Sequence, residues 1–157
     1  MRGQTHLIGG VTAGLITATV LSNDTALQVT TGIVAAGIGG LYCDWLSVSF
    51  PYVQIPFIEG HRSVLTHSLL ASAFMCLLLY DALGIEHIGV YFAMGMVSHQ
   101  LLDLPTGNGI PIFFPLRTKR VGLYWGNNGG RMEQSFQYGL LAVCGSILVL
   151  WAVMLLG

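Results

Sequence analysis

Charge is what this chain has least of. Asp, Glu, Lys and Arg make up 8% of its 157 residues, while 54% are hydrophobic; soluble domains carry about 25% charged residues. A surface stable in water cannot be assembled from so few charges, which excludes an ordinary soluble fold. Basic excess is missing too. The formal net charge is −1, so the footprint that nucleic-acid binding requires is absent. Cysteine is sparse: Cys43, Cys76 and Cys144 lie in or beside apolar runs without CxxC spacing. That excludes a disulfide framework and a thiolate metal site, and leaves three reduced small hydrophobes. Internal repeats and low-complexity tracts are lacking as well. What remains is apolar, with a mean hydropathy of +0.70, and points to one domain (residues 1–157) of an all-α integral membrane protein.

Five apolar runs predict five transmembrane helices, at about 7–21, 25–43, 63–83, 87–104 and 136–156. The first spans roughly 22 Å, short of a bilayer core of about 30 Å, so it must borrow flanking residues or lie against other helices. Arg2 ahead of this run raises a signal peptide, but Gly and Thr dilute the stretch and no clear A-x-A-like cleavage site follows; a retained helix is expected. The second run carries Gly32, Gly37, Gly39 and Gly40, a density of small residues that lets helix backbones approach closely in lipid. Asp44 is expected to end it, opening an aromatic, interfacial loop over 44–62. Pro105 marks the end of the fourth run. From 105 to 134 no helical pattern is visible, and a loop of that length in a compact domain is usually functional or disordered. Its IPIFFPL and VGLYW runs flank Arg117-Thr118-Lys119-Arg120, as in an interfacial β-hairpin with a basic tip, although Pro111, Pro115 and Gly122 weaken a regular ladder.

Threading five helices alternately sorts the polar residues onto two sides. One side receives all six basic residues, Arg2, Arg62, Arg117, Lys119, Arg120 and Arg131, together with His6, Asp44, His61, His67, His99, Asp103 and Glu133. The other receives Asp24, Asp81, Glu86 and His87. Lysine and arginine in short loops favour the cytoplasm, which predicts an inside amino terminus and an outside carboxyl terminus. Ionisable groups gathered at one depth of a membrane mark a functional site. His99 and Asp103, four apart, share one helix face; both can bind one metal, or the carboxylate can orient the imidazole. His61 and His67 bracket the start of the third helix. His6 reads equally well as an interfacial residue, and Glu133 as a carboxylate complementing the dipole of the fifth helix. The 117–120 cluster reads as a topogenic signal or as an attractor of phosphate headgroups. The pattern as a whole predicts a metal site drawn from His6, Asp44, His61, His67, His99 and Asp103.

Thr5-His6-Leu7 with Gly10, Gly40-Leu41-Tyr42-Cys43-Asp44, His61-Arg62-Ser63-Val64-Leu65-Thr66-His67-Ser68 and His99-Gln100-Leu101-Leu102-Asp103 together resemble the YdjM-like family of predicted inner-membrane metal-dependent hydrolases. Gly109-Ile110-Pro111, Phe114-Pro115 and Glu133 are similar too, so the resemblance covers most of the chain. Its specific part is HRSVLTHS followed by SHQLLD. The resemblance implies a helical protein of a bacterial or archaeal cytoplasmic membrane whose His and Asp side chains hold a divalent metal, zinc by expectation, as one or two ions. Zinc-dependent phospholipases C are a looser analogy. The family pattern L-P-D-x-D has a second acid where this chain has Leu46, so a carboxylate that completes a second metal site is missing. The expectation is a membrane-bound hydrolase with Asp44 or Glu133 as general base. Arg62 or the basic loop would hold an anionic, lipid-like phosphoester, and membrane lipids would be its partners. The alternative is a non-catalytic metal-binding membrane protein with a structural, transport or regulatory role. The far halves of the helices carry little beyond Ser and Thr, which disfavours an ion pathway.

Overall fold

A computed structural model describes residues 1–21, 24–49, 66–82, 86–126 and 128–156; His61 and Arg62 lie outside this set. Among the described residues five helices form: α1 (Gly3–Val20), α2 (Ala26–Ser49), α3 (Leu69–Leu77, continued by a π-helical turn over Leu78–Ala82), α4 (Glu86–Asp103) and α5 (Arg131–Leu156). The number is the expected one; several boundaries differ. Asp44 does not end α2, which runs on to Ser49. A single carboxylate costs a helix little, and neither Gly nor Pro interrupts the chain before Pro51. The expected start of the third helix, residue 63, lies outside the described residues, and α3 begins later. Its first residue is Leu69, because the Ser68 hydroxyl accepts from Ala71 N at 3.2 Å and caps it, which leaves His67 in the preceding turn. α5 begins five residues earlier than expected. Gly129 adopts φ +79°, and the turn it makes opens a helix with Glu133 in its first turn.

The regular hairpin expected in the 105–134 loop does not form. Ile110 and Val121 exchange two backbone bonds of 2.8 Å, a single antiparallel bridge, and Thr106 pairs with Gly126 in an isolated parallel one. Pro111 has no N–H to extend the ladder. Gly109 sits at φ +59°, where an added Cβ would lie 2.9 Å from Val121 O, so only glycine fits the bridge there. The loop is nonetheless tied down. Leu123 N donates to Leu104 O at 2.8 Å, Trp125 N to Pro105 O at 2.9 Å, and Leu69 N to Ile112 O at 3.0 Å.

Among the described residues, two helices are long and apolar enough to cross a membrane: Ala26–Leu46 and Arg131–Leu156. α1 and α4 have 18 residues each, about 27 Å at 1.5 Å per residue, and carry more polar side chains. Five helices are present; five separate crossings do not follow from them. The distribution of polarity is nevertheless that of a membrane protein. Thr5, His6, Thr12, His67, Ser72, His99, Gln100, Asp103 and Glu133 are buried, while Leu141, Leu148, Val149, Leu150 and Val153 on α5 are exposed. Lipid tolerates such a surface, and it requires polar groups to find partners inside.

α2 is the central element, packed against both α1 and α4, with α3 on α4 and α5 on α1. Glycines bring the backbones together. A Cβ on Gly10 would fall 2.5 Å from Ala36 O, one on Gly40 2.5 Å from His6 O, and one on Gly95 2.0 Å from Ala36 O. Without a hydrophobic drive between helices in lipid, such close backbone contact is what associates them. Gly95→Ala should therefore separate α2 from α4 and cost about 1–3 kcal/mol, read as a lowered unfolding midpoint in detergent. Gly145→Ala meets nothing within 4 Å and should leave the midpoint unchanged or raised; equal losses in both variants would contradict this packing.

Candidate metal centre

The start of α1, the end of α2, the turn before α3, the end of α4 and the start of α5 meet at one end of the bundle. His6 comes from the first turn of α1, Asp44 from α2, His67 from the turn, and His99 and Asp103 from α4. At the opposite end Tyr91 donates to Asp24 at 2.8 Å, and His87 faces Thr31 at 3.3 Å. Of the two expected polar sets, His6, Asp44, His67, His99 and Asp103 lie at one end and Asp24 and His87 at the other; His61 and Arg62 fall outside the described residues. Arg2, Arg117, Lys119, Arg120 and Arg131 belong to the chain segments at the His/Asp end.

Three imidazole Nε2 atoms and two carboxylates converge. His99 Nε2 lies 3.1 Å from His67 Nε2, 3.6 Å from Asp44 Oδ1 and 3.9 Å from Asp103 Oδ2. His6 Nε2 is 3.4 Å from Asp103 Oδ1 and 3.9 Å from Asp44 Oδ2, and His67 Nε2 is 3.8 Å from Asp103 Oδ2. The His6 and His99 rings stack with centroids 3.7 Å apart. All three histidines are buried, Asp103 is nearly so, and Asp44 keeps 23% of its side chain exposed. An ion bound tetrahedrally at about 2.0–2.1 Å sets its ligand atoms about 3.3 Å apart, close to the spacing of these donors.

Hydrogen bonds prepare the cluster for a cation. His99 Nδ1 is 2.7 Å from Gly40 O. A carbonyl only accepts, so Nδ1 carries the proton and Nε2 presents its lone pair to the cluster. His67 Nδ1 is 2.7 Å from Thr66 Oγ1, a hydroxyl that can donate or accept. His67 Nε2 is therefore free to present either a proton to His99 or a lone pair to an ion. Neither ring nitrogen of the buried His6 has a hydrogen-bond partner among the described residues, an arrangement that costs free energy unless something else satisfies them. The Met1 ammonium donates to Asp103 Oδ1 at 2.7 Å, so this corner accommodates positive charge. The donors His6, His99 and Asp103, and the donors Asp44, His67 and His99, each lie within 4.8 Å of one another. These buried groups can hold a metal ion.

Of the residues expected here, His6, Asp44, His67, His99 and Asp103 are brought together. Glu133 is buried at the same end, but its partners are Arg2 N at 2.5 Å, Thr5 Oγ1 at 2.5 Å and Gly129 N. It ties the Arg2 backbone and the Thr5 side chain at the start of α1 to the Gly129 turn before α5, and neither donor group includes it. The pattern of acidic and histidine residues did not single out Gln100. Its Nε2 donates to Ser72 Oγ at 2.8 Å, Ser68 O at 2.9 Å and Thr66 O at 3.3 Å, and Cys43 Sγ reaches Thr66 O at 3.0 Å. Gln100 thus clamps the backbone on both sides of His67 onto α4. An uncharged polar residue beside His99 in an apolar helix was the available signal. Gln100→Met keeps the volume and removes the clamp. If the cluster takes up an added divalent metal, the variant should bind it about 10- to 100-fold more weakly, the usual effect of losing a hydrogen bond that orients a ligand, measured by competition with a chromogenic chelator. Unchanged affinity in a folded variant would show that His67 needs no such support.

A family model described as YdjM inner membrane protein matches residues 1–156. An uncharacterized protein of Bacillus subtilis (strain 168), YvsG, is 32% identical over 150 residues, covering 92% of each chain. No solved structure matches.

Proposed function

The chain belongs to the YdjM inner membrane protein family, and from that premise we propose that it is a membrane-embedded metal-dependent hydrolase with its centre at the cytoplasmic face. The observation that carries this reading is the convergence of His6, His67 and His99 Nε2 with Asp44 and Asp103 inside an apolar bundle. Ionisable groups are expensive in that setting and are retained where they act. In this reading His6, His67, His99 and Asp103 hold one zinc ion. When bound, zinc supplies Lewis acidity and acidifies a coordinated water toward neutral pH.

The chain's own residues do the rest. The Gly40 carbonyl holds the His99 ring so that Nε2 faces the centre. Asp44, the partly exposed member, lies on the accessible side and serves as general base, taking the proton of the attacking water. Asp103 balances positive charge that the buried imidazoles cannot. Leu46, standing where the family pattern has an acid, favours one ion over two. His61 and Arg62, outside the described residues, are assigned in this proposal as a further ligand and as a cation for an anionic substrate. A phosphoester of a lipid-like molecule fits a centre at the bilayer surface with basic residues around it. Those same basic residues support an inside amino terminus and an outside carboxyl terminus.

One specific observation favours the second reading, a closed metal site without catalysis: three histidines and Asp103 already supply four buried ligands, the number that closes a structural zinc site. Elemental mass spectrometry on detergent-purified protein tests both. The expected result is one zinc per chain, falling below about one tenth in His67→Ala and His99→Ala variants that keep their helical circular dichroism. No metal in the intact protein after zinc is offered refutes the metal reading. The loaded protein is then assayed on a panel of phosphomonoesters and phosphodiesters. Asp44→Asn should retain zinc and lower kcat about 100-fold or more, whereas full occupancy with no turnover on any member favours the closed, structural site.

A further inference from the structure

We propose that the loop between α4 and α5 is a docking surface for the headgroups of anionic phospholipids. This goes beyond hydrolysis and does not depend on it. Arg117, Lys119 and Arg120 line a cleft of about 530 Å³ with Leu116, Val121 and Tyr124, room for a phosphodiester headgroup. All three cations are exposed, and none has an ion-pair partner among the described residues. Residues 104–132 contain no Asp or Glu, and Glu133 beyond them is buried and already accepts three hydrogen bonds. Among the described residues, no anion neutralises the positive charge on this loop.

The apolar residues around those charges identify the anion's carrier. Leu116 is 91% exposed, and Tyr124 and Trp125 are each 67% exposed. Tyr124 sits at φ 54°, a backbone conformation that a bulky residue adopts only when its surroundings impose it. The imposition is visible: Leu123 N and Trp125 N on either side are bonded to Leu104 O and Pro105 O. Aromatic rings interleaved with arginine and lysine suit the headgroup layer, where an apolar body and a polar tip are both satisfied. A soluble phosphate ester would need the cations but would leave Leu116 and Trp125 in water. The loop also lies at the right height. It leads through Gly129 and Gly130 into Arg131, the first residue of the most apolar helix, so it meets the membrane where α5 enters it.

The test uses the full chain carrying Trp45→Phe and Trp151→Phe, which leaves Trp125 as the one tryptophan, reconstituted in bilayer nanodiscs. Lipids brominated high in the acyl chain quench a tryptophan they touch. Each basic side chain near an anionic surface contributes about a fivefold preference. Brominated phosphatidylglycerol should therefore quench Trp125 at a mole fraction at least about fivefold lower than brominated phosphatidylcholine. The preference should vanish in Arg117→Gln/Lys119→Gln/Arg120→Gln and at 1 M salt. Equal quenching by the two lipids at low salt overturns the proposal, as does a preference that survives 1 M salt. Loss of the preference on adding millimolar glycerol phosphate also overturns it, since the cations would then be a site for a soluble ester. If the triple variant does not fold, the salt titration of the intact loop decides.

Discussion

Where α1, α2 and α4 touch, backbone meets backbone. Gly10, Gly40 and Gly95 stand at contacts where even a methyl group would lie within 2.0–2.5 Å of a carbonyl oxygen on the neighbouring helix. In lipid this closeness replaces the hydrophobic drive that packs soluble helices. It also sets the depth at which side chains emerge. His6 sits opposite Gly40, and the Gly40 carbonyl in turn holds the His99 ring. The polar centre is thus a consequence of the helix crossing, and a change in one would be felt in the other.

Electrostatics then limits what the crossing can enclose. Three imidazoles and Asp103 are buried together, with Asp44 at the margin. Imidazole nitrogens 3.1 Å apart, one of them forced to present a lone pair, need a shared proton or a shared cation between them. The Thr66 hydroxyl can reverse its role and serve either state. Neither nitrogen of His6 has a hydrogen-bond partner among the described residues, and Nε2 faces Asp103 Oδ1 at 3.4 Å, a placement that suits a ligand to a shared cation. Around this centre a second layer of neutral contacts, Gln100 and Cys43 on the Thr66–Ser68 backbone, holds the turn that precedes α3.

The loop after α4 belongs to the same end of the molecule and obeys a different constraint. Its backbone is anchored to residues just after Asp103 and His67, at Leu104, Pro105 and Leu69; Thr106, Ile110 and Ile112 are buried, while Leu116, Tyr124, Trp125 and the three cations are exposed. A polar interior and an interfacial exterior are thus joined through a few backbone bonds.

Composition alone excluded a water-soluble surface, and the apolar runs sufficed for five helices, because both depend on local hydrophobicity. The spacing of His99 and Asp103 placed them on one helix face, and alternate threading placed His6, Asp44 and His67 at the same end. Helix ends were harder to read. Asp44 resembles a stop because it is charged, yet α2 tolerates it with the side chain turned toward two histidines from other helices. Glu133 resembles a residue ahead of its helix, yet it lies inside α5, which the Gly129 turn opens early, and its carboxylate reaches Arg2 and Thr5 at the start of α1. Gln100 carries no charge, so nothing local distinguishes it from a passive polar residue. Its role exists only once α3 is laid against α4 and three acceptors come within reach. Periodicity is a property of one segment and can be read from its residues. Which hydrogen-bond donor meets which acceptor is decided by segments far apart in the chain, and the close packing of the helices makes that choice.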